Sequence, residues 1–79
     1  MLVFVTVWDS PPDREEFVAA YRQYAEGKYA QPPTRATETE LWWETPTQTA
    51  ILTWEANTVL VILGPDAATV ARALALARP

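Results

Sequence analysis

Residues 39–66 read TELWWETPTQTAILTWEANTVLVILGPD. Three runs in this stretch have the composition of strands. TELWWET (39–45) and TAILTW (49–54) alternate apolar with polar, and TVLVIL (58–63) is apolar almost throughout. Pro46-Thr47 and Ala56-Asn57 separate the runs so tightly that two successive hairpins are predicted. Asn57 is the residue best able to take a positive φ in the second turn. Gly64-Pro65-Asp66 then ends the strand and starts a helix, expected over 66–78 with Pro at N1 and with Ala67, Val70, Ala71, Leu74 and Ala77 on one stripe.

Two-residue loops set the register. Thr45 should pair with Gln48, Trp43 with Ala50 and Leu41 with Leu52. In the second hairpin Glu55 should pair with Thr58, Trp54 with Val59, Leu52 with Val61 and Ala50 with Leu63. One face of the meander then collects Leu41, Trp43, Ala50, Leu52, Trp54, Val59, Val61 and Leu63, enough core for two helices to cover. The other face collects Glu40, Trp42, Glu44, Thr49, Ile51, Thr53, Leu60 and Ile62. A solvated face of an antiparallel sheet should be polar. This one groups Trp42, Ile51, Leu60 and Ile62 inside a rim that includes Glu40 and Glu44, which is how a docking surface looks. These six residues are the candidate binding site, with Trp42 as its anchor. A wrong register, or the 28–38 segment folding over this face, would remove it.

Upstream, LVFVTVW (2–8) is β-branched and aromatic and reads as a strand. Its apolar residues fall on both parities, so it is expected inside the sheet or covered on both faces. Residues 11–27 read as a helix. Phe17, Ala20, Tyr21, Tyr24 and Lys28 follow its period, Val18 and Ala25 widen the stripe, and Gly27 is a suitable stop. The segment KYAQPPTRATE (28–38) is a connection, because Pro32-Pro33 forbids helix and the rest has no period. It should be mobile or wrap the surface.

The predicted architecture is α+β: order β-α-β-β-β-α, a four-stranded mostly antiparallel sheet with both helices on one face, in a single domain over 1–79. The crossover is long enough to place the first strand beside any of the other three.

Four carboxylates, Asp9, Asp13, Glu15 and Glu16, crowd the helix start in VWDSPPDREEF (7–17). Such a cluster can do acid–base work or hold a hard cation. The spacing matches no Ca²⁺ loop, and capping accounts for it better. Ser10 is the expected N-cap, Pro11 and Pro12 take N1 and N2, and Asp13 is the N3 acid. Glu15 and Glu16 suit the helix dipole. Glu40 and Glu44, flanking Trp42 on one strand, could bind a sugar or a cation, but a solvated rim is the commoner use of such residues. The aromatic set Trp8, Tyr21, Tyr24, Trp43 and Trp54 reads as packing before it reads as a pocket.

Bulk composition narrows the classes. Hydrophobic content of 49% argues for a folded chain. With no Cys and no His, thiol chemistry, a Cys/His zinc site and a His-based triad are excluded. The only glycines, Gly27 and Gly64, build no phosphate or dinucleotide loop. Net charge is −4, which leaves no basic footprint for nucleic acid. The longest apolar run is too short to span a bilayer, and the amino terminus lacks the features of a signal peptide. A cytoplasmic location is expected if the chain is full length. Richness in Ala, Leu, Pro and Arg resembles thermophile or GC-rich composition.

Two segments carry a resemblance. VTVWDSPPDREEFVAAYRQY (5–24) resembles a W-D-S-x-x-D-x-x-x-F-x-x-A-Y strand-to-helix segment, and LTWEANTVLVILGPD (52–66) resembles a W-x-x-(N/G)-x-V-x-V-x-G-x-D hairpin that follows it. Together they are similar to small β-α-β-β-β-α tail modules of uncharacterised bacterial proteins, some attached to predicted peptidases. The resemblance covers about half the chain. It implies an accessory, non-catalytic module cut from something longer. No catalytic residue, cofactor or metal is implied.

The expected role is therefore an interaction or accessory domain that pairs with a second copy or with another domain of a parent protein. The alternative is a small-molecule or peptide binder using the same aromatic face. An acid-based enzyme is third.

Overall fold

The structure, a computed structural model, describes residues 1–77. Its elements are β1 (Leu2–Val7), α1 (Pro11–Tyr29), β2 (Arg35–Ala36), β3 (Glu40–Glu44), β4 (Thr49–Glu55), β5 (Thr58–Gly64) and α2 (Ala67–Ala77). The fold is α+β, with one antiparallel sheet of order β1-β5-β4-β3-β2.

The meander register is the one its two-residue loops dictate. Trp43 faces Ala50, Leu41 faces Leu52, Trp54 faces Val59 and Leu52 faces Val61. In the first turn the Thr45 amide donates to the Gln48 carbonyl at 2.9 Å, and the Gln48 amide donates to the Thr45 hydroxyl at 3.0 Å. In the second turn Ala56, not Asn57, takes the positive φ, at 52°.

The sheet has five strands where four were predicted. The extra one, β2, lies in the 28–38 connection and is two residues long. It pairs Arg35 with Trp42 and Ala36 with Leu41. Flanking bonds from the Thr34 amide to the Trp42 carbonyl and from the Thr37 amide to the Glu40 carbonyl hold it there. A two-residue strand offers no periodicity to detect, but its backbone groups close the β3 edge.

Helix α1 starts as predicted. The Ser10 side chain accepts from the Asp13 amide at 3.4 Å, and Pro11 and Pro12 fill positions whose amides would have no partner within the helix. The helix runs past Gly27 to Tyr29 and stops at Ala30, which is left-handed at φ 55°, ψ 35°. Its inward stripe is Phe17, Val18, Tyr21, Ala25 and Tyr29, rotated from the predicted one so that Ala20, Tyr24 and Lys28 face outward. It covers the face carrying Leu41, Trp43, Ala50, Leu52, Val59 and Val61. The rings of Trp8, Phe17, Tyr21 and Tyr24 stand in sequence along it, with centroids 5.2, 6.2 and 5.7 Å apart.

Helix α2 lies on the opposite face, which corrects the prediction of two helices on one side. Asp66 caps it by accepting from the Thr69 amide at 2.7 Å, so Pro65 sits just outside the helix instead of at N1. That bond holds the Asp66 carboxyl below the usual range. The buried residues are Val70, Ala73 and Leu74, while Ala71 and Ala77 face outward; residue 78, the predicted end, lies outside the described residues. Val70 and Leu74 pack on Trp42, Ile51 and Ile62, each contributing about 1.5–3 kcal/mol of apolar burial. The result is three layers, helix on sheet on helix. A sheet apolar on both faces requires a cover on each.

β1 is not inside the sheet. It pairs with β5 alone, Leu2 opposite Leu63 through Val7 opposite Thr58, and forms an outer edge.

Candidate functional site

The face predicted to dock a partner is occupied by the chain's own α2. Ile51 and Ile62 are fully buried, Trp42 is 6% exposed and Leu60 is part-buried. The premise of an open apolar face around these four residues is thus corrected. The residues do meet, as the register required, but as a second core.

The rim residues are also engaged. The Trp42 indole N–H donates to Glu40 Oε1. Glu44 accepts from both ends of the Arg35 fork, Nε to Oε2 at 3.2 Å and the second terminal nitrogen to Oε1 at 2.7 Å, and from the Thr34 hydroxyl at 3.0 Å. These donors hold the Glu44 carboxyl below its usual range, and the Glu44 partnership raises the Arg35 guanidinium in turn. Arg35 also lies over the Trp42 ring, 4.5 Å from its centroid. Carboxylates beside a tryptophan suggested a cation site; the cation there is Arg35 of the same chain. Arg35 was absent from the sequence-based site because it sits in a connection without a period.

The acidic helix start gathers no reactive centre. Asp13 follows the cap, and Arg14 reaches Glu15 only at 3.6 Å. Among the described residues, no group of three or more His, Cys, Asp or Glu is placed to hold a metal ion.

Two surfaces that the sequence did not single out remain. The first is β1. Leu2, Val3, Phe4, Val5 and Val7 are between 45% and 76% exposed, and Met1 is 73% exposed. Cross-strand partners share a face, so Leu2, Phe4 and Thr6 lie on the α1 side and Val3, Val5 and Val7 on the α2 side. Neither helix reaches far enough to cover them. The Trp8 amide donates to the Asn57 carbonyl at 2.8 Å. Ladder pairs alternate in antiparallel sheets. Leu2, Phe4 and Thr6 therefore bond to β5, and Val3, Val5 and Val7 turn their N–H and C=O groups outward. Edges of this kind are ordinarily blunted by charge, proline or brevity. β1 carries no charge and no proline over its whole length.

The second is an open depression of about 780 Å³ lined by Arg14, Thr39, Thr53, Trp54 and Thr58, among others. Arg14 and Trp54 also line a smaller one of about 450 Å³. The Arg14 side chain is 18% exposed, and its Nε is buried without a hydrogen-bond partner.

The signal for β1 was present but ambiguous. Apolar residues on both parities describe a central strand and an exposed sticky edge equally well, and only the pairing order separates them. No helix among the described residues is long and apolar enough to cross a membrane.

No curated protein and no solved structure matches the chain at a significant level. The family model described as Domain of unknown function (DUF8575) matches residues 1–74, a span that includes both resemblance-bearing segments, and the chain belongs to that family.

Proposed function

We propose that the chain is a non-catalytic association domain whose docking element is β1. The observation that carries this reading is the coincidence, on one strand, of a free hydrogen-bonding edge and an uncovered apolar surface on both faces. An added strand would satisfy the backbone groups of Val3, Val5 and Val7 and bury the side chains beside them, the mode known as strand addition. The accessory role expected from the sequence is kept. Its location moves from the sheet face around Trp42 to the sheet edge.

The test is a titration of the isotope-labelled chain with a short strand-forming peptide of alternating valine and threonine between lysines. Docking predicts shift changes centred on β1 and slowed exchange at the Val3, Val5 and Val7 amides. Changes confined to other elements would sink the reading.

A second reading has one observation in its favour, the half-enclosed Arg14 beside Trp54. A small molecule with a carboxylate could pair with that guanidinium while stacking on the indole. Shift changes at Trp54 and Arg14 on adding simple carboxylates, abolished by Arg14→Ala, would support it; unchanged spectra would remove it.

A further inference from the structure

We infer that the strand docked on β1 is β1 of a second copy, running antiparallel about a two-fold axis through Val5. This rests on the strand-docking reading and names its partner.

Symmetry is the first argument. An antiparallel strand paired with itself is self-complementary, so a two-fold contact closes and uses the same groups on both sides. The free groups of β1 belong to Val3, Val5 and Val7. With Val5 opposite Val5 of the partner, Val3 meets Val7 and Val7 meets Val3, and all of these outward N–H and C=O groups find partners. The strand that completes β1 is then one of identical length and spacing. The two five-stranded sheets would join into one.

Charge is the second argument. The chain is acidic overall, at −4, so two copies repel at most surfaces. β1 is uncharged from Leu2 to Val7, and this edge can close without opposing carboxylates. The opposite edge is β2, two residues long and carrying Arg35 already bound to Glu44, and it offers no comparable ladder.

Area is the third. Leu2, Val3, Phe4, Val5 and Val7 are each about half-exposed or more, divided between the two faces of the sheet, so a ladder along β1 covers part of that apolar surface on each face and stays below the ~800 Å² per partner of a standard interface. A reversible, concentration-dependent dimer fits that size.

Because the chain contains no cysteine, single cysteines report the pairing cleanly. Across a hydrogen-bonded pair the Cα atoms are about 5.5 Å apart, within disulfide reach. The expected results are a solution mass rising from monomer to dimer with concentration, a covalent dimer of Val5→Cys under mild oxidation, and little cross-linking of Leu76→Cys, which is exposed on α2. Val5→Lys should return the chain to monomer while keeping its near-ultraviolet dichroism. A dimer that cross-links no better through Val5→Cys than through Leu76→Cys overturns the proposed pairing. A monomer at all concentrations that still takes up the valine–threonine peptide overturns self-pairing alone. A monomer that ignores the peptide overturns the strand-docking reading as well.

Discussion

Gly64 and Val70 are in such close approach that a Cβ on Gly64 would lie 2.8 Å from Val70 Cγ2. Gly64 ends β5, and Val70 is the fully buried residue of the second turn of α2. The missing side chain is what lets the helix descend onto Trp42, Ile51 and Ile62. The glycine is needed for space, since its φ is not positive.

Gly64→Ala should therefore destabilise the domain by about 1–3 kcal/mol, the usual cost of overpacking. Pairing it with Val70→Ala should recover part of the loss, because the methyl that collides is removed. Urea unfolding of the two single variants and the double variant measures this. Additive losses would show that the contact is not the cause.

Tyr21 predicts a base limb to the stability curve. Burial, with Tyr29 and Tyr24 adding to it, pushes its phenol from 10.0 up to about 12. Raised in the folded state, this group contributes stability that is fully present below pH about 10 and is lost as pH climbs toward 12. Tyr29, which donates to Gln48 at 2.9 Å, is raised as well and acts in the same direction. The urea midpoint should fall between about pH 10 and pH 12, and Tyr21→Phe should flatten part of that fall. An unchanged slope in the variant would assign the limb to other groups.

Ala56 is a non-glycine residue at φ 52° in the two-residue turn between β4 and β5. A left-handed alanine costs on the order of 1 kcal/mol in the folded chain, a cost glycine removes, and the greater freedom of glycine in the unfolded chain offsets part of that gain. Ala56→Gly should stabilise by a few tenths to about 1 kcal/mol, and Ala30→Gly, at φ 55°, should shift in the same direction. Asn57→Gly should give no such gain. Thermal midpoints of the three variants decide the matter.

Much of this architecture is legible in the residues. The hairpins follow from Pro46-Thr47 and Ala56-Asn57, and the cap at Ser10 follows from the prolines and acid behind it. Every pairing predicted from those loops is present, and so is the composition of both sheet faces. What a single sequence does not encode locally is which layer covers which face. An apolar group of Trp42, Ile51, Leu60 and Ile62 demands burial, but the demand is the same whether a partner or the chain's own helix meets it. α2 meets it, and the docking site inferred from the patch became a core. The placement of β1 is hidden for a related reason, since edge or centre depends on pairing at long range. Arg35 escaped notice because two residues are too few to show a strand period.

Leu2 pairs with Leu63, so the ends of the sheet-forming sequence meet across almost the whole chain. β3, β4 and β5 can zip from their own short turns, whereas β1 has no template until β5 exists. Of these strands β1 leaves the ribosome first and is the last to find a neighbour, since its partner β5 is the last strand of the sheet to be made. During that interval an uncharged LVFVTV segment is fully open to water, a vulnerability of synthesis that the finished fold only half removes.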